Sequence, residues 1–314
     1  MIMNYVRRGT GKPLLLIHGI GSSHQSWDRI IDQLAAGRDV IAVDLPGFGG
    51  TPPLAGEVSI RTLADAVTDF LAENDLTGID AVGSSMGARL VLELARRGGV
   101  LGAVVSLDPG GFWQGWEIPF FYHSVRLSAQ LVSALQPVLP ALTGNPVGRT
   151  LLLAQFSARP WNVPAQVALN ELRTFTPTPT FTELLDNLAY GEKQQGAPAR
   201  AIQSPLVIGW GRQDRVCLPS QSKLALSLFP DAHLHWFSHC GHFPQLDVPE
   251  ETTQLILDVT DGTYQPQVEP QTESQVESPE QPVALKAKQS DSVLIGVSVV
   301  VLVAGLFLIF RRAV

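Results

Sequence analysis

Between residues 14 and 260, short apolar runs alternate with longer amphipathic stretches, and this alternation constrains the fold more than any other feature of the chain. The runs fall at 14–17, 40–43, 79–82, 103–107, 206–208 and 234–237. Helix-like stretches such as 59–76, 86–96 and 219–229 lie between them. Short apolar runs bounded by turn residues suit strands buried on both faces, so the pattern predicts a mostly parallel sheet with crossover helices on either side. Ser59 is placed to cap the first long helix, and Gly98 and Gly99 to stop the one beginning near Met86. In such sheets ligands gather outside the carboxyl ends of the strands, so functional side chains are sought there.

The composition changes after residue 260. Residues 261–292 are rich in Gln, Glu, Pro and Ser and carry a net charge of −4, which predicts a disordered, extended linker. Residues 293–310 run for eighteen positions without a charge and are followed by Arg311 and Arg312. At 1.5 Å per residue the run reaches about 27 Å, enough to cross a hydrocarbon core. A single C-terminal transmembrane helix is therefore expected; a buried core helix would sit within a domain, not after such a linker. No signal peptide is read at the start, because only the apolar run 14–17 follows Arg7 and Arg8, too short for a signal core. A membrane-anchored protein with its catalytic domain in the cytoplasm is the expected topology, with the lipid bilayer as partner. The net charge of −7, with no cluster of Lys and Arg, argues against nucleic acid. Two cysteines, Cys217 and Cys240, make neither a disulfide framework nor a four-cysteine zinc site, and reduced thiols are expected.

After the run 79–82 comes Gly83-Ser84-Ser85-Met86-Gly87, a G-x-S-x-G pattern between a strand and a helix. The turn it implies is tight enough to strain the serine, and side chains two positions to either side would clash. Ser85 is thereby presented at a helix N-terminus, where the Met86 N–H faces any negative charge that develops. A serine hydroxyl needs a base, and the base needs an acid to orient it. His242 follows the run 234–237 and is preceded by Gly241, which frees the loop to turn back over the sheet; His239 is the rival, otherwise a partly buried loop residue. The acid has two candidates at strand ends. Asp214 follows the run 206–208 and is favoured, whereas Asp108 reads as a turn former ahead of Pro109. The glycines around Ile20, in His18-Gly19-Ile20-Gly21, let the backbone approach a substrate oxygen and make the Ile20 N–H a second donor. Neither GxxxxGK[ST] nor GxGxxG can be written over this turn, which sets nucleotide binding aside.

Five motifs in this order, His18-Gly19 with Trp27 downstream, Asp44 to Gly49, Gly83 to Gly87, Gly211 to Asp214, and Gly241-His242 with Pro249-Glu250, resemble the α/β-hydrolase superfamily over residues 4–260. The resemblance is strongest to small esterases, carbon–carbon bond hydrolases and haloperoxidase-like enzymes. It implies a triad of Ser85, His242 and Asp214, with Ile20 and Met86 as oxyanion-hole donors, and no metal or organic cofactor. Related dehalogenases use Asp as nucleophile, so Ser85 points away from that chemistry. The family opens with a longer antiparallel hairpin than the dozen residues ahead of Leu14 can make, and the linker and apolar tail also depart from its plan. Arg89 stands where many relatives have a small or apolar residue.

Residues 110–200 interrupt the alternation and resemble the helical cap that covers the active site in this family. Six aromatics between Phe112 and Tyr122 either line an apolar pocket or pack the cap on the sheet and meet lipid. The expected organisation is a catalytic α/β-hydrolase domain at 1–260, a linker at 261–292 and a transmembrane helix at 293–310. The expected activity is hydrolysis of a small apolar acyl or ester substrate through an acyl-enzyme. Carbon–carbon bond cleavage of a diketone is the alternative within the enzyme class, and a non-catalytic membrane-tethered binding protein the alternative outside it.

Overall fold

The computed structural model describes residues 3–267. Seven strands, β1 (Tyr5–Arg8), β2 (Lys12–Ile17), β3 (Arg38–Val43), β4 (Ile79–Ser84), β5 (Leu101–Leu107), β6 (Leu206–Gly211) and β7 (His233–Phe237), form one sheet in the order β1-β3-β2-β4-β5-β6-β7. Every neighbouring pair is parallel except β1 with β3. The six expected strands are all present. The seventh, β1, is the short edge strand Tyr-Val-Arg-Arg, whose charged residues hide it from an apolar search; Arg7 pairs with Asp39 and Arg8 with Asp32.

β3, β4 and β6 are buried along their whole length, as strands covered on both faces must be. The alternation within β2 shows the two layers. Leu14 and Leu16 pack with Trp27, Ile30 and Leu34 and with Ile256 of the helix Pro249–Thr260, while Leu15 and Ile17 point to the opposite face, which Leu63, Val67 and Leu71 of the helix Ile60–Glu73 cover. Ser59 caps that helix through a reciprocal pair with Thr62, and Gly98 ends the helix Met86–Arg97 with φ +73°. The stretch 219–229 is less regular than expected, a single 3₁₀ turn followed by the short helix Ser222–Leu228.

Between β5 and β6 the chain leaves the sheet for a helical cap whose long elements are Glu117–Leu135, Ala165–Thr174 and Pro179–Tyr190. Its own small core, with Val132, Leu139, Leu153, Leu169 and Leu172, is joined by Leu246 of the main domain. Arg89 now has an account. It is buried and donates to the carbonyls of Leu188 and Glu192, tying the end of the cap to the helix that follows Ser85.

Residues 261–264 still rest on the domain. Asp261 pairs with Arg38, and the N–H groups of Thr263 and Tyr264 donate to the Asp258 carbonyl. Among the described residues no helix is long and apolar enough to cross a membrane. The expected transmembrane helix at 293–310, and the linker from residue 268 onward, lie outside the described residues.

Candidate active site

The carboxyl ends of β2, β4, β5, β6 and β7 lie side by side, and their following loops converge on Ser85. Ser85 has φ +58° and ψ −113°, a conformation that L-residues avoid. The glycines flanking it are required by space. A Cβ on Gly83 would lie 2.1 Å from the Gly87 carbonyl oxygen, and one on Gly87 2.3 Å from that of Ile17. The Ser85 N–H is held by the Leu107 carbonyl at the end of β5. Met86 opens the helix Met86–Arg97, so its N–H has no carbonyl partner within that helix.

His242, on the loop after β7, brings Nε2 to 2.8 Å from Ser85 Oγ and Nδ1 to 2.8 Å from Asp214 Oδ2. The carboxylate can only accept, so the neutral ring carries its proton on Nδ1 and leaves Nε2 to accept from the Ser85 hydroxyl. The other Asp214 oxygen accepts from the N–H groups of Val216 (2.7 Å) and Cys217 (3.0 Å), which fix the carboxylate in place. His242 is 1% exposed and Asp214 3%, whereas Ser85 keeps 9%, so the hydroxyl is the open end of this hydrogen-bonded chain. His239 is exposed rather than partly buried, and plays no part in it.

Asp108, the rival acid, lies behind this arrangement. It has φ +48°, and its Oδ1 accepts from the Gly211 N–H at 2.8 Å, linking the end of β5 to that of β6. Burial first, and the neighbouring Asp214 second, push its carboxyl well above the ordinary range. It is more than a turn former, yet His242 faces Asp214.

The turn after β2 abuts the serine: a Cβ on Gly19 would stand 3.2 Å from Ser85 Cβ and 3.7 Å from Oγ. His18 is buried, which lowers its pKa to about 4 against the opposing bond to Gly19. Its neutral ring donates from Nδ1 to the Gly19 carbonyl (2.7 Å) and accepts at Nε2 from the Leu45 N–H (3.0 Å). The ring therefore pins the Ile20 turn to the loop after β3. Asp44 organises that loop. Burial raises its pKa, but bonds from Gly50, His24 and Asn4 outweigh this and hold the carboxyl below its ordinary value.

A cavity of about 40 Å³ opens onto Ser85 and His242, walled by cap residues Phe121, Val125, Leu153, Phe156 and Phe175. Of the six aromatics at the start of the cap, Phe121 reaches this wall; the rest mainly pack. Trp113 stacks on Phe121 with centroids 3.8 Å apart, Phe112 leans on Trp210, and Trp116 is exposed. A larger cleft of about 320 Å³, lined by Arg61, Arg89, Glu93 and Lys193 among others, does not include Ser85 or His242.

Three residues that pattern reading passed over shape the site. Asp247 accepts from the N–H groups of Gly241 (2.7 Å) and Ala158 (2.8 Å) and from the Ser157 hydroxyl, so one carboxylate ties the His242 loop to the cap. Gln245 donates to Ser84 Oγ at 3.2 Å. Glu171, on the cap helix Ala165–Thr174, lines the cavity and accepts from Ser22 Oγ at 2.9 Å. No short motif marks any of them. Cys217 and Cys240 are buried free thiols, raised above the ordinary thiol range chiefly by burial. Among the described residues Asp214, Cys217 and His242 form a group compact enough for a metal ion, each offering one ligand atom within 4.8 Å of the others. The Asp214 and His242 atoms are already engaged with one another.

This geometry belongs to the fold class of the α/β hydrolases, with a serine on a strained strand-to-helix turn and a histidine from the last strand reaching back to it. The chain is a member of the alpha/beta hydrolase family, whose sequence profile matches residues 14–255. It is 27% identical over 264 residues to the dihydrolipoyllysine-residue acetyltransferase component of the acetoin cleaving system of Cupriavidus necator, covering 81% of this chain and 65% of that protein. It is 24% identical over 257 residues to a 2-hydroxy-6-oxononadienedioate/2-hydroxy-6-oxononatrienedioate hydrolase of a Pseudomonas species, covering 78% of this chain and 86% of that one. Among solved structures, a thermophilic esterase from Thermogutta terrifontis superposes with a TM-score of 0.65 at 18% identity over 84% of this chain and 94% of that chain, a likeness of fold.

Proposed function

We propose that the chain is a serine hydrolase that cleaves an ester-like or acyl substrate through an acyl-enzyme. The observation that carries the reading is the unbroken path from Asp214 through His242 to Ser85, ending at an apolar cavity. Ser85 Oγ attacks the carbonyl carbon while His242 Nε2 takes its proton. The new oxyanion faces the N–H groups of Ile20 and Met86, and Asp214 stabilises the imidazolium. Collapse of the intermediate expels the alcohol with the proton from His242, and water repeats the sequence to release the acid. Every proton is moved by the chain's own groups, so the sequence needs no metal or organic cofactor. A fluorophosphonate probe tests the reading: wild type should be labelled and Ser85→Ala not. Failure to label wild type, or equal labelling of both, would leave a non-catalytic binding protein of the same fold.

Carbon–carbon bond hydrolysis of a diketone would use the same groups, and the Pseudomonas relative's name gives that reading its support. The cavity favours the ester: among the described residues no Lys or Arg lines it and Glu171 does, so a dicarboxylate would find no counter-charge among them. We also propose that residues 293–310 anchor the protein to a bilayer with the catalytic domain in the cytoplasm; the eighteen uncharged residues, enough to cross a hydrocarbon core, support the anchor.

A further inference from the structure

The helix Ala165–Thr174 buries Ala168, Leu169 and Leu172 against the rest of the protein. Glu171 lies one turn from Ala168 and beside Leu172, so the helical register places a carboxyl group where an apolar side chain would pack. Its Oε2 accepts from Ser22 Oγ at 2.9 Å. Its Oε1 is shielded from solvent and has no hydrogen-bond partner. Among the described residues no basic side chain pairs with it, and the charge that acts on it is Asp28, of the same sign, on a segment that Asn170 of this helix also reaches. A buried oxygen left without a partner is destabilising, so packing alone does not account for this residue. Among the described residues Glu171 is also the only carboxyl that lines the Ser85 cavity.

We infer that Glu171 is a specificity residue, selecting acyl substrates whose apolar chain carries a hydroxyl group placed to bond Oε1; the inference rests on the serine-hydrolase reading of Ser85. The choice of hydroxyl follows from the carboxyl group's two states. Burial, opposed by the Ser22 bond and reinforced by Asp28, raises its pKa to about 7, so near neutrality both forms are present. The acid form offers an O–H and the ionised form only accepts. A ketone or ether oxygen satisfies the first alone and an ammonium the second alone, whereas a hydroxyl can accept from one and donate to the other. A plain alkyl chain leaves Oε1 unpaired, and a substrate carboxylate is repelled by the ionised form with no cation on the wall to offset it. The Ser22 N–H also donates to the Gly19 carbonyl, so the hydroxyl subsite is built onto the same turn that carries the Ile20 N–H.

The test compares kcat/KM for a chromogenic hexanoate ester with analogues bearing one hydroxyl at successive carbons and with the ω-carboxylated analogue. Wild type should favour at least one hydroxy analogue about tenfold, or about 1.4 kcal/mol, and should handle the carboxylated one worst. Glu171→Leu should abolish the preference and relieve the penalty on the carboxylate. Glu171→Gln should keep the preference but remove its change between pH 6 and 8; the titratable groups that remain around it, Asp28 beside the cap helix and His242 on the cavity wall, are common to both proteins. No preference at any carbon in wild type, or one that survives in Glu171→Leu, overturns the inference. If wild type turns over no ester, the hydrolase reading fails by itself. Calorimetric binding of the matching amides to Ser85→Ala then decides the subsite, and equal affinity for plain and hydroxylated amides refutes it.

Discussion

Replacing Glu171 by Gln should raise stability at pH 8 and leave it unchanged at pH 4, and the size of the effect follows from the site. The carboxyl goes from an ordinary 4.5 to about 7 in the folded protein, chiefly through burial. At 1.36 kcal/mol per pH unit, keeping it ionised in the fold costs about 3 kcal/mol. Between these two values the folded chain binds more protons at this group than the unfolded chain. Its contribution is therefore fully present below about pH 4.5, declines as pH rises, and is lost above about pH 7. Other acids run the opposite way. Asp44 and Glu93 are held below their ordinary values, so the wild-type curve alone mixes both signs. The difference between wild type and Glu171→Gln removes those shared terms. It should be near zero at pH 4 and reach about 3 kcal/mol in favour of the variant at pH 8, equivalent to about 6–12 °C in Tm for a domain of this size. Urea unfolding of both proteins at half-unit steps of pH is the assay. Two curves that stay parallel from pH 4 to pH 8 would show that the carboxyl is not desolvated as the structure has it, and would remove the reason for assigning it both protonation states at neutrality.

Asp214→Asn should lower kcat on a neutral ester by about 10⁴, since an amide favours the wrong imidazole tautomer and cannot stabilise the imidazolium; Asp108→Asn should cost far less, because His242 faces Asp214 while Asp108 accepts from the Gly211 N–H. Steady-state kinetics of the pair checks this, and the opposite ranking would move the acid role to Asp108. For the anchor, full-length protein should sediment with membranes and be released by detergent, while residues 1–267 should be soluble and equally active on a water-soluble ester. Full-length protein in the soluble fraction without detergent would reject the anchor.

The strands that run through the centre of the sheet were visible in the sequence because burial on both faces leaves them as unbroken apolar runs. β1 was not, because an edge strand with one paired side can carry two arginines, and its place is set by Asp32 and Asp39 far along the chain. The stretch 219–229 read as one helix and broke into two pieces for a related reason: Pro219 and Ser222 open it, and neither reveals a 3₁₀ turn by periodicity. Short-range signals worked where one or two residues settle a backbone conformation, as with Ser59 at its cap and the glycines around Ser85.

The candidate site divides along the same physical line. Ser85 was legible because a turn this tight admits few residue types, and a Cβ at Gly83 or Gly87 would meet backbone oxygen. Asp214 and His242 were legible because each follows a strand whose end the sheet topology must bring beside β4. Asp247, Gln245 and Glu171 obey no such rule. Asp247 acts by joining Gly241 to Ser157 and Ala158, and Glu171 by leaning from the cap onto Ser22, contacts between segments about 90 and 149 residues apart. In a helix reading Ala-Gln-Val-Ala-Leu-Asn-Glu-Leu-Arg-Thr a glutamate normally marks the solvent face. Only the cap's closure over the strand ends turns that position inward. The machinery proposed for bond cleavage thus belongs to local sequence and sheet order, while the wall that chooses a substrate belongs to tertiary packing of the cap, where a single carboxyl group among phenylalanines and leucines changes what the cavity will accept.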